Sequence, residues 1–440
     1  MSTTARTLLK VLVDQRRWRY VDFERAFRRA AAQALDEGSR NLTVSEAQFR
    51  RWTGGRVQTL PGAEACTALE HMFGVDAAAL FDAPPSVAPA PTFNLEDEIL
   101  MTAHDAQSEA AEAAAASISD TTLDQLRDDV ATLARTYSST APLDVFQQTR
   151  RLRDEAETQR GRTQVPAQAQ ELLIVAGQAC ALLATAAFDL GSLDGAKRLC
   201  RSAALYGETA RFDPLRGFAG GTLAYIAYFS NQPAEAARLA RQAQMFTGLG
   251  DVARRRLAAI EARAFGYLGD AASAQRALDA SQLDGPGATD DLHDGVAGEF
   301  GFSAERIAMS NSSTCLLLGD GGQAETAATR ALELAAQRPA QQRSARVVGG
   351  AGADLAAARL LRGDLDGAAD ALERVWVVPR DQRATGLLTR TSRVRRALTG
   401  GPFRGAQLAG ELGERIEDFT RLSAQHQLGT GSGPLAALEA

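Results

Sequence analysis

Few residues in this 440-residue sequence have the types and spacing that catalysis or metal binding needs. The histidines are far apart, and none belongs to an HExxH motif or to a His/Cys pair. They are His71, His104, His293 and His426. The most suggestive group is His293-Asp294 with Glu299, in the Gly-rich segment Ser281–Gly301. A mobile or functional loop is expected there, and a solvated polar loop is favoured over a catalytic site.

The segment Val347–Asp354 (VVGGAGAD) imitates a dinucleotide-binding loop. It lacks the preceding strand and the complete glycine spacing that such a loop needs. Close packing of helices through glycine is the better interpretation. We therefore expect no catalytic residues, no metal and no cofactor.

A different kind of chemistry is indicated by Val44–Pro61 (VSEAQFRRWTGGRVQTLP). Ser45 is a typical N-cap for a short helix, and the Arg50-Arg51 pair falls near its C-terminal end, where cations suit the helix dipole. Gly54-Gly55 ends the helix, and Arg56 follows in the turn. The plainest interpretation is an ordinary capped helix whose arginine pair is solvated.

The same stretch resembles the third helix of the Xre/Cro helix-turn-helix family, in which Val-Ser is followed by Arg-Trp, a Gly, a basic residue and a Pro. The positions that carry the resemblance are Val44, Ser45, Arg51, Trp52, Gly55, Arg56 and Pro61. The resemblance implies that the start of this helix faces the major groove of double-stranded DNA. The residues that it implies in DNA binding are Ser45, Glu46, Ala47, Gln48, Arg50, Arg51 and Arg56.

By this resemblance, Glu46, Ala47 and Gln48 approach base edges, and Arg51 lies one helical turn further along. Glutamine suits adenine, arginine suits guanine, and glutamate can accept a hydrogen bond from the cytosine amino group. Arg56, with Ser45 or the backbone N–H groups at the helix start, would hold phosphates.

Two features depart from the family pattern. The connector Gly38–Thr43 is longer than the usual tight turn, and Arg50 occupies a position where many members have a small or polar residue. Both leave open a degenerate domain that now binds protein instead of DNA.

Charge is distributed unevenly along the chain. Residues 1–60 carry twelve basic and six acidic residues, which gives +6; because the whole chain carries −6, residues 61–440 carry −12. A basic head on an acidic body is typical of a small DNA-contacting module on a soluble platform.

Composition favours closely packed helices in a cytosolic protein. The sequence is 45% hydrophobic but only 6% aromatic, and it is rich in alanine. No run of about 18 apolar residues predicts a membrane span, and the N-terminus lacks the pattern of a secretory signal. The scattered cysteines read as reduced core residues: Cys66, Cys180, Cys200 and Cys315.

Hydrophobic periodicity predicts an all-α N-terminal domain over residues 1–82, and five short helices over this length fit the Xre/Cro fold class that the resemblance implies. Its five predicted helices are Thr4–Arg16, Tyr20–Leu35, Ser45–Thr53, Ala63–Phe73 and a short helix capped by Asp76 that ends at Phe81. Residues 83–117 are predicted to be a linker and a connecting helix, because Asp82–Thr92 holds four prolines and Phe93–Ser117 is Ala-rich.

Residues 118–426 are predicted to be a series of helical hairpins, beginning with helices Thr121–Tyr137 and Pro142–Gln159. Beyond them, a Gly or Asn is repeatedly followed five residues later by Ala. These pairs are Gly191/Ala196, Asn231/Ala236, Gly269/Ala274, Gly319/Ala324 and Gly363/Ala368. Their intervals of 40, 38, 50 and 44 residues indicate stacked two-helix repeats. The Gly or Asn would end one helix in a left-handed cap, and the small Ala would let the next helix approach closely.

This signature resembles the junction Gly-Asp-x-x-x-Ala of the tetratricopeptide (TPR) repeat, over roughly residues 165–400. The intervals exceed the standard repeat of about 34 residues, and Leu and Ala replace most aromatic positions, so the resemblance predicts a TPR-like α-solenoid. The last helices are predicted at Arg380–Leu398 and Gly405–Gln425, and residues 427–440 as a flexible tail.

The TPR resemblance implies a concave groove lined by the first helix of each repeat. Groove positions are carried over by their distance from each junction, with Tyr228 added one turn on from Tyr225. They bring together Tyr225, Tyr228, Arg256, Arg263, Arg306 and Ser310. Such a surface suits an anionic or carboxylate-ended ligand such as a peptide. The alternative is that these residues are solvated or pair helices.

The order of modules resembles bacterial peptide-pheromone-sensing regulators and actinobacterial Xre-type regulators. It implies a transcription regulator that forms a homodimer through its helical body and binds a pseudo-palindromic operator. A peptide, a small molecule or a partner protein in the groove would shift the relative pose of the two heads. A scaffold whose degenerate head does not bind DNA remains the alternative. An enzyme is the weakest option, because it needs His293 and Glu299 to converge on a pocket.

Overall fold

The computed structural model describes residues 7–35, 42–84, 95–115, 117–283, 285, 287–339 and 342–423. Within these residues the secondary structure is helical and contains no strand, so the predicted all-α class is confirmed. The chain divides into two compact units, residues 1–108 and 109–440, and each has its own hydrophobic core.

The described part of unit 1 consists of short helices and the first part of a longer one. They are α1 (Leu8–Gln15), α2 (Tyr20–Ala34), α3 (Glu46–Thr53), α4 (Ala63–Phe73), α5 (Ala77–Phe81) and α6 (Leu95–Ala115). The side chains of Thr7, Ser45 and Asp76 cap α1, α3 and α5 by accepting backbone N–H groups. Three predicted segments lie partly or wholly outside the described residues: the start of the first helix, the connector 38–43 and the Pro-rich linker.

An aromatic core holds unit 1 together. Phe23 and Phe27 of α2 are fully buried. The Trp52 ring lies 6.0 Å from that of Phe27 and 6.1 Å from that of Phe81, while Phe49 lies 4.9 Å from Phe23. One face of α3 is therefore fixed in the core, and its opposite face is left in solvent.

Unit 2 contains helices most of which pack on the next one along the chain. They are α7 (Asp120–Thr136), α8 (Pro142–Arg162), α9 (Pro166–Asp189), α10 (Leu193–Thr209), α11 (Asp213–Phe229), α12 (Pro233–Gln244), α13 (Asp251–Leu268), α14 (Ala271–Gln282), α15 (Ala304–Leu317), α16 (Gly321–Ala336), α17 (Ala345–Leu361), α18 (Leu365–Trp376), α19 (Thr385–Thr399) and α20 (Gln407–Arg421). The predicted helix Arg380–Leu398 is shorter than expected, because Arg380–Gln382 form a separate 3-10 turn after Pro379. The predicted tail lies outside the described residues.

The five repeat junctions adopt the predicted left-handed backbone. The φ angles are +94° at Gly191, +57° at Asn231, +71° at Gly269, +76° at Gly319 and +84° at Gly363. The alanine five residues after each junction is completely buried. Each junction therefore ends one helix and lets the next pack closely, as the spacing predicts.

The five helices that precede these junctions form a closed ring together with α19. Each of α9, α11, α13, α15, α17 and α19 packs on the next, and α19 returns to α9. At the closure, Thr385 Oγ1 donates to the carbonyl of Phe188 at 2.8 Å, and Arg346 Nη1 donates to Asp189 Oδ2 at 2.5 Å. The inner faces of the six helices thus enclose a ring interior rather than lining an open groove.

Glycines in α17 allow the close approach that the sequence predicts for Val347–Asp354. A Cβ added at Gly349 would lie 2.6 Å from a Val378 methyl group, and one at Gly350 would lie 2.7 Å from Met309 Sδ. The VVGGAGAD sequence is therefore the tightly packed middle of a helix.

The segment between α14 and α15 contradicts the predicted solvated loop. Leu292 and Phe300 are fully buried, and His293 and Glu299 are 2% and 7% exposed. Asp290 accepts the backbone N–H groups of Leu292 and His293, which starts a π-helical turn over Asp291–Val296. The two apolar side chains draw the segment into unit 2 because their burial is favourable.

Helix α9 is long and apolar enough to cross a membrane by length and composition alone. In the structure, 78% of its most apolar window is buried. It packs on α8, α10 and α11, so its apolar surface belongs to the core of unit 2.

Candidate functional site

Helix α3 begins at a reciprocal cap. Ser45 Oγ accepts the Gln48 backbone N–H at 3.2 Å, and Gln48 Oε1 accepts the Ser45 backbone N–H at 2.9 Å. Ser45 and Gln48 thus form a capping box, which the sequence predicted only in part. At the other end, Gly54 N–H donates to the Arg50 carbonyl, and Gly55 has a φ of +68°. The helix therefore starts and stops where the sequence predicts.

The seven predicted DNA-binding residues all lie on this short element or just after it. Gln48 is half-buried, and the other six are exposed: Ser45, Glu46, Ala47, Arg50, Arg51 and Arg56. Because Val44 and Trp52 are only 2% and 4% exposed, the core fixes the orientation of the helix. The structure brings the predicted residues together on one solvent-facing surface, and their binding of DNA stays a prediction.

Local contacts already engage some of these side chains and not others. Arg50 Nη2 lies 2.5 Å from Glu46 Oε1, one helical turn away, so each neutralises the other. The oxygen of Gln48 is used by the cap, which leaves mainly its amide N–H₂ for another partner. Among the described residues, Arg51 and Arg56 have no carboxylate partner.

A concave surface borders the C-terminal half of α3. Its volume is ≈ 860 Å³, and its lining includes Gln48, Arg51 and Arg56 together with the segment Val57–Ala65. Both arginines that lack a carboxylate partner therefore line the same concavity. An anionic backbone is a suitable occupant for such a surface.

The predicted groove residues of unit 2 are in the ring interior. Tyr228, Arg256, Arg263 and Ser310 are between 4% and 7% exposed, and Tyr225 and Arg306 are half-buried. The structure therefore corrects the open groove of the prediction, because the superhelix closes on itself. Binding of a ligand by these residues stays a prediction.

Four of the six groove residues meet on α11, α13 and α15. The Arg263 guanidinium donates to Tyr228 Oη at 3.3 Å and to Ser310 Oγ at 3.1 Å. Tyr225 lies edge-on to Tyr228, with ring centroids 5.0 Å apart. Burial raises the pKa of Tyr228 well above its usual range, so its hydroxyl stays neutral.

Beside them, Asp354 meets two arginines that the sequence did not single out, Arg390 and Arg393. Arg390 Nε donates to Asp354 Oδ2 at 3.0 Å, and Ser313 Oγ donates to the same oxygen at 2.5 Å. Arg393 Nη1 lies 3.8 Å from the other oxygen, Asp354 Oδ1. We call these residues together the Asp354 cluster: Asp354, Arg263, Arg390, Arg393, Ser310, Ser313 and Tyr228.

A second set of charges lies at the closure of the ring. Arg346 contacts Asp189, lies 3.6 Å from Glu299 Oε2 and stacks over the ring of Tyr137 at 4.5 Å. Arg306 also pairs with Glu299, at 3.1 Å. We call this set the Arg346 cluster: Arg346, Arg306, Asp189, Glu299 and Tyr137. Burial raises the pKa of Asp189, and the Arg346 charge opposes that shift.

Arg256 belongs to neither cluster. It donates to Thr222 Oγ1 at 2.9 Å and lies over the ring of Phe218 at 4.2 Å. Burial, and then the neighbouring Arg306 charge, lower the pKa of Arg256 to about 10. The arginines of the predicted groove therefore have three different surroundings: Arg263 lies in the Asp354 cluster, Arg306 in the Arg346 cluster, and Arg256 in neither.

The His293 side chain does not meet Glu299 in a shared contact. His293 Nδ1 lies 3.0 Å from Asp290 Oδ1, whereas Glu299 contacts Arg306 and Arg346. Burial alone would raise the pKa of Asp290, but its hydrogen bond with His293 and the histidine charge lower it to about 2. These contacts give both residues structural roles.

No protein-family model matches this sequence, and no curated protein matches it either.

Proposed function

We propose that this chain is a sequence-specific DNA-binding transcription regulator of the cytoplasm. Its unit 1 would be a helix-turn-helix domain of Xre/Cro type, and unit 2 a TPR-like solenoid that dimerises and senses a ligand. The observation that carries the proposal is that Arg51 of α3 and Arg56 just after it are exposed beside one concavity, while the opposite face of α3 is held in an aromatic core. A rigid helix with free basic side chains suits a DNA groove.

The scaffold alternative rests on two contacts of α3. Glu46 pairs with Arg50, and the Gln48 oxygen serves the helix cap, so two predicted base-reading side chains are already engaged. A head of this kind could present its arginines to an acidic protein surface instead. That alternative predicts no sequence-specific affinity for DNA: any binding would be uniform along the DNA and would be lost as salt rises.

The first experiment is binding of the purified full chain to fragmented genomic DNA at low and at moderate salt. The regulator proposal expects a few strongly enriched sites that share an inverted repeat, as a dimer requires. Binding that is uniform and erased by salt, or no binding, would favour the scaffold.

On an enriched site, we expect Arg51→Ala to weaken binding by roughly 1–3 kcal/mol and to relax specificity at one base pair. We expect Arg56→Ala to weaken all sequences alike and to lower the slope of log affinity against log salt by about one. Fluorescence anisotropy at several salt concentrations measures both effects.

The matched control is Arg330→Ala, which removes one exposed arginine from unit 2. It controls for the change in net charge and should leave both affinity and specificity unchanged. Gln48→Ala is a poorer probe, because it also breaks the helix cap. Wild-type affinity and specificity in Arg51→Ala would remove the assignment of that residue.

A further inference from the structure

The two charged clusters of the ring interior differ in their balance of positive and negative charges. In the Arg346 cluster, the two arginines Arg306 and Arg346 are matched by the two carboxylates of Asp189 and Glu299. In the Asp354 cluster, Arg263, Arg390 and Arg393 surround the single carboxylate of Asp354. Among the described residues, this leaves two positive charges in excess at the Asp354 cluster.

Three polar atoms of this cluster are buried without a hydrogen-bond partner among the described residues. They are Arg263 Nε, Arg393 Nη1 and Asp354 Oδ1. A buried charged group that lacks a partner is costly, and the cost falls when a hydrogen-bonding ion binds. Burial also lowers the pKa of Arg393, as expected where nearby carboxylates do not fully compensate its charge.

The cluster can be reached from one side. The side chain of Arg393 is 24% exposed, whereas those of Arg390 and Asp354 are 8% and 1% exposed. Tyr267 stacks on Tyr228 at 5.4 Å, and both Tyr225 and Tyr267 are half-buried beside it. The cluster is therefore buried at Arg390 and Asp354 and partly exposed at Arg393.

We propose that the Asp354 cluster binds the phosphoryl group of a small phosphorylated molecule, held by Arg263, Arg390 and Arg393. A phosphoryl dianion matches the excess of two charges, and the guanidinium fork suits its oxygens. Asp354 Oδ1, which lies 3.8 Å from Arg393 Nη1 and accepts no hydrogen bond among the described residues, accepts one from a hydroxyl group of the same molecule. The inference rests on the proposed function, since it names the chemical class that unit 2 senses.

The closed ring decides between a small molecule and a peptide. An extended peptide needs a continuous open groove, and the helices α9 to α19 close around the interior instead. A compact anion needs only the cluster itself. The closed ring therefore favours a small anion over an extended peptide.

The test is thermal unfolding of the full chain, with inorganic phosphate and ribose 5-phosphate titrated at constant ionic strength set by chloride. We expect a saturable rise in Tm of roughly 2–4 °C. An equal rise with both probes identifies the phosphoryl group as sufficient, and a rise with ribose 5-phosphate alone identifies a phosphate ester. No rise with either probe would overturn the proposal, as would equally tight binding of the dicarboxylate succinate.

The decisive variant is Arg393→Gln, at the solvent edge of the cluster, where folding is least at risk. Loss of one charge-assisted contact should raise the ligand concentration at the midpoint of the titration roughly 10- to 100-fold. Arg396→Gln, an exposed position on the same helix, is the matched control and should titrate like the wild type. Equal midpoints in Arg393→Gln and wild type would contradict the site.

The DNA assay separates this inference from the proposed function. Arg393→Gln should retain full affinity for an enriched DNA site when no phosphorylated probe is present. If the protein binds this DNA but its Tm does not shift, only the assignment of the ligand site is rejected. If the protein binds the probes but no specific DNA, the ligand site stands and the proposed regulatory function is rejected.

Discussion

Arg346→Ala is expected to lower the free energy of unfolding of unit 2 by roughly 3–5 kcal/mol, because it leaves the buried carboxylate of Asp189 without its ion-pair partner and leaves Glu299 with Arg306 alone. Arg346 donates to Asp189 at 2.5 Å and lies 3.6 Å from Glu299, and both carboxylates are 7% exposed. The same side chain covers the ring of Tyr137. Urea unfolding followed by circular dichroism measures the loss, since unit 2 contributes most of the helix.

The matched control is again Arg330→Ala, whose guanidinium is 58% exposed and pairs with Glu333 at 3.5 Å. Exposed pairs of this kind contribute about 0–1 kcal/mol. A loss of less than about 1 kcal/mol in Arg346→Ala would mean that the ring closes without this contact. Arg346→Met, which keeps the apolar stem but not the charge, should be nearly as destabilised as Arg346→Ala.

The helices and their ends could be predicted from the sequence because their causes are local. A helix stop depends on one residue that tolerates positive φ, and the junctions at Gly191 and Asn231 adopt the expected backbone. The caps at Ser45 and Asp76 depend on a side chain two or three residues from its partner. Signals of this range are present in any short window of sequence.

The closed ring could not be predicted in the same way. Its closing contacts join residues far apart in the chain: Arg346 and Asp189 are 157 positions apart, and Thr385 and Phe188 are 197. The groove positions were carried over from an open superhelix, where the first and last repeats do not meet. The small rotation between successive repeats accumulates over six inner helices, and the sequence of any single junction does not reveal it.

Two parts of the candidate sites had a signal in the sequence that was not used. Ser45 and Gln48 have the spacing of a capping box, which foretells that the glutamine is engaged. Asp354 is the one carboxylate in the apolar helix α17, and such a residue needs a buried partner. Its partner Arg390 lies beyond the last repeat signature, so the pairing itself needed the structure.

Phe300→Ala is expected to destabilise unit 2 by roughly 3–5 kcal/mol, as large-to-small changes of fully buried aromatic residues do. Phe300 is fully buried and packs edge-to-face on Phe218, with ring centroids 5.0 Å apart. Phe218 in turn lies under the Arg256 guanidinium. Thermal or urea unfolding measures the loss, and limited proteolysis should cut the segment between α14 and α15 faster in the variant.

Phe302→Ala is the matched control, because it removes the same ring two positions further along. Phe302 is half-buried and contacts Arg306 at its surface, at 5.3 Å, so its loss should cost roughly 1 kcal/mol. Equal effects of the two variants would mean that burial of Phe300 does not hold the segment in the core of unit 2. A much larger effect of Phe300→Ala, with faster cleavage, would establish that one aromatic side chain holds this polar, Gly-rich segment inside the fold.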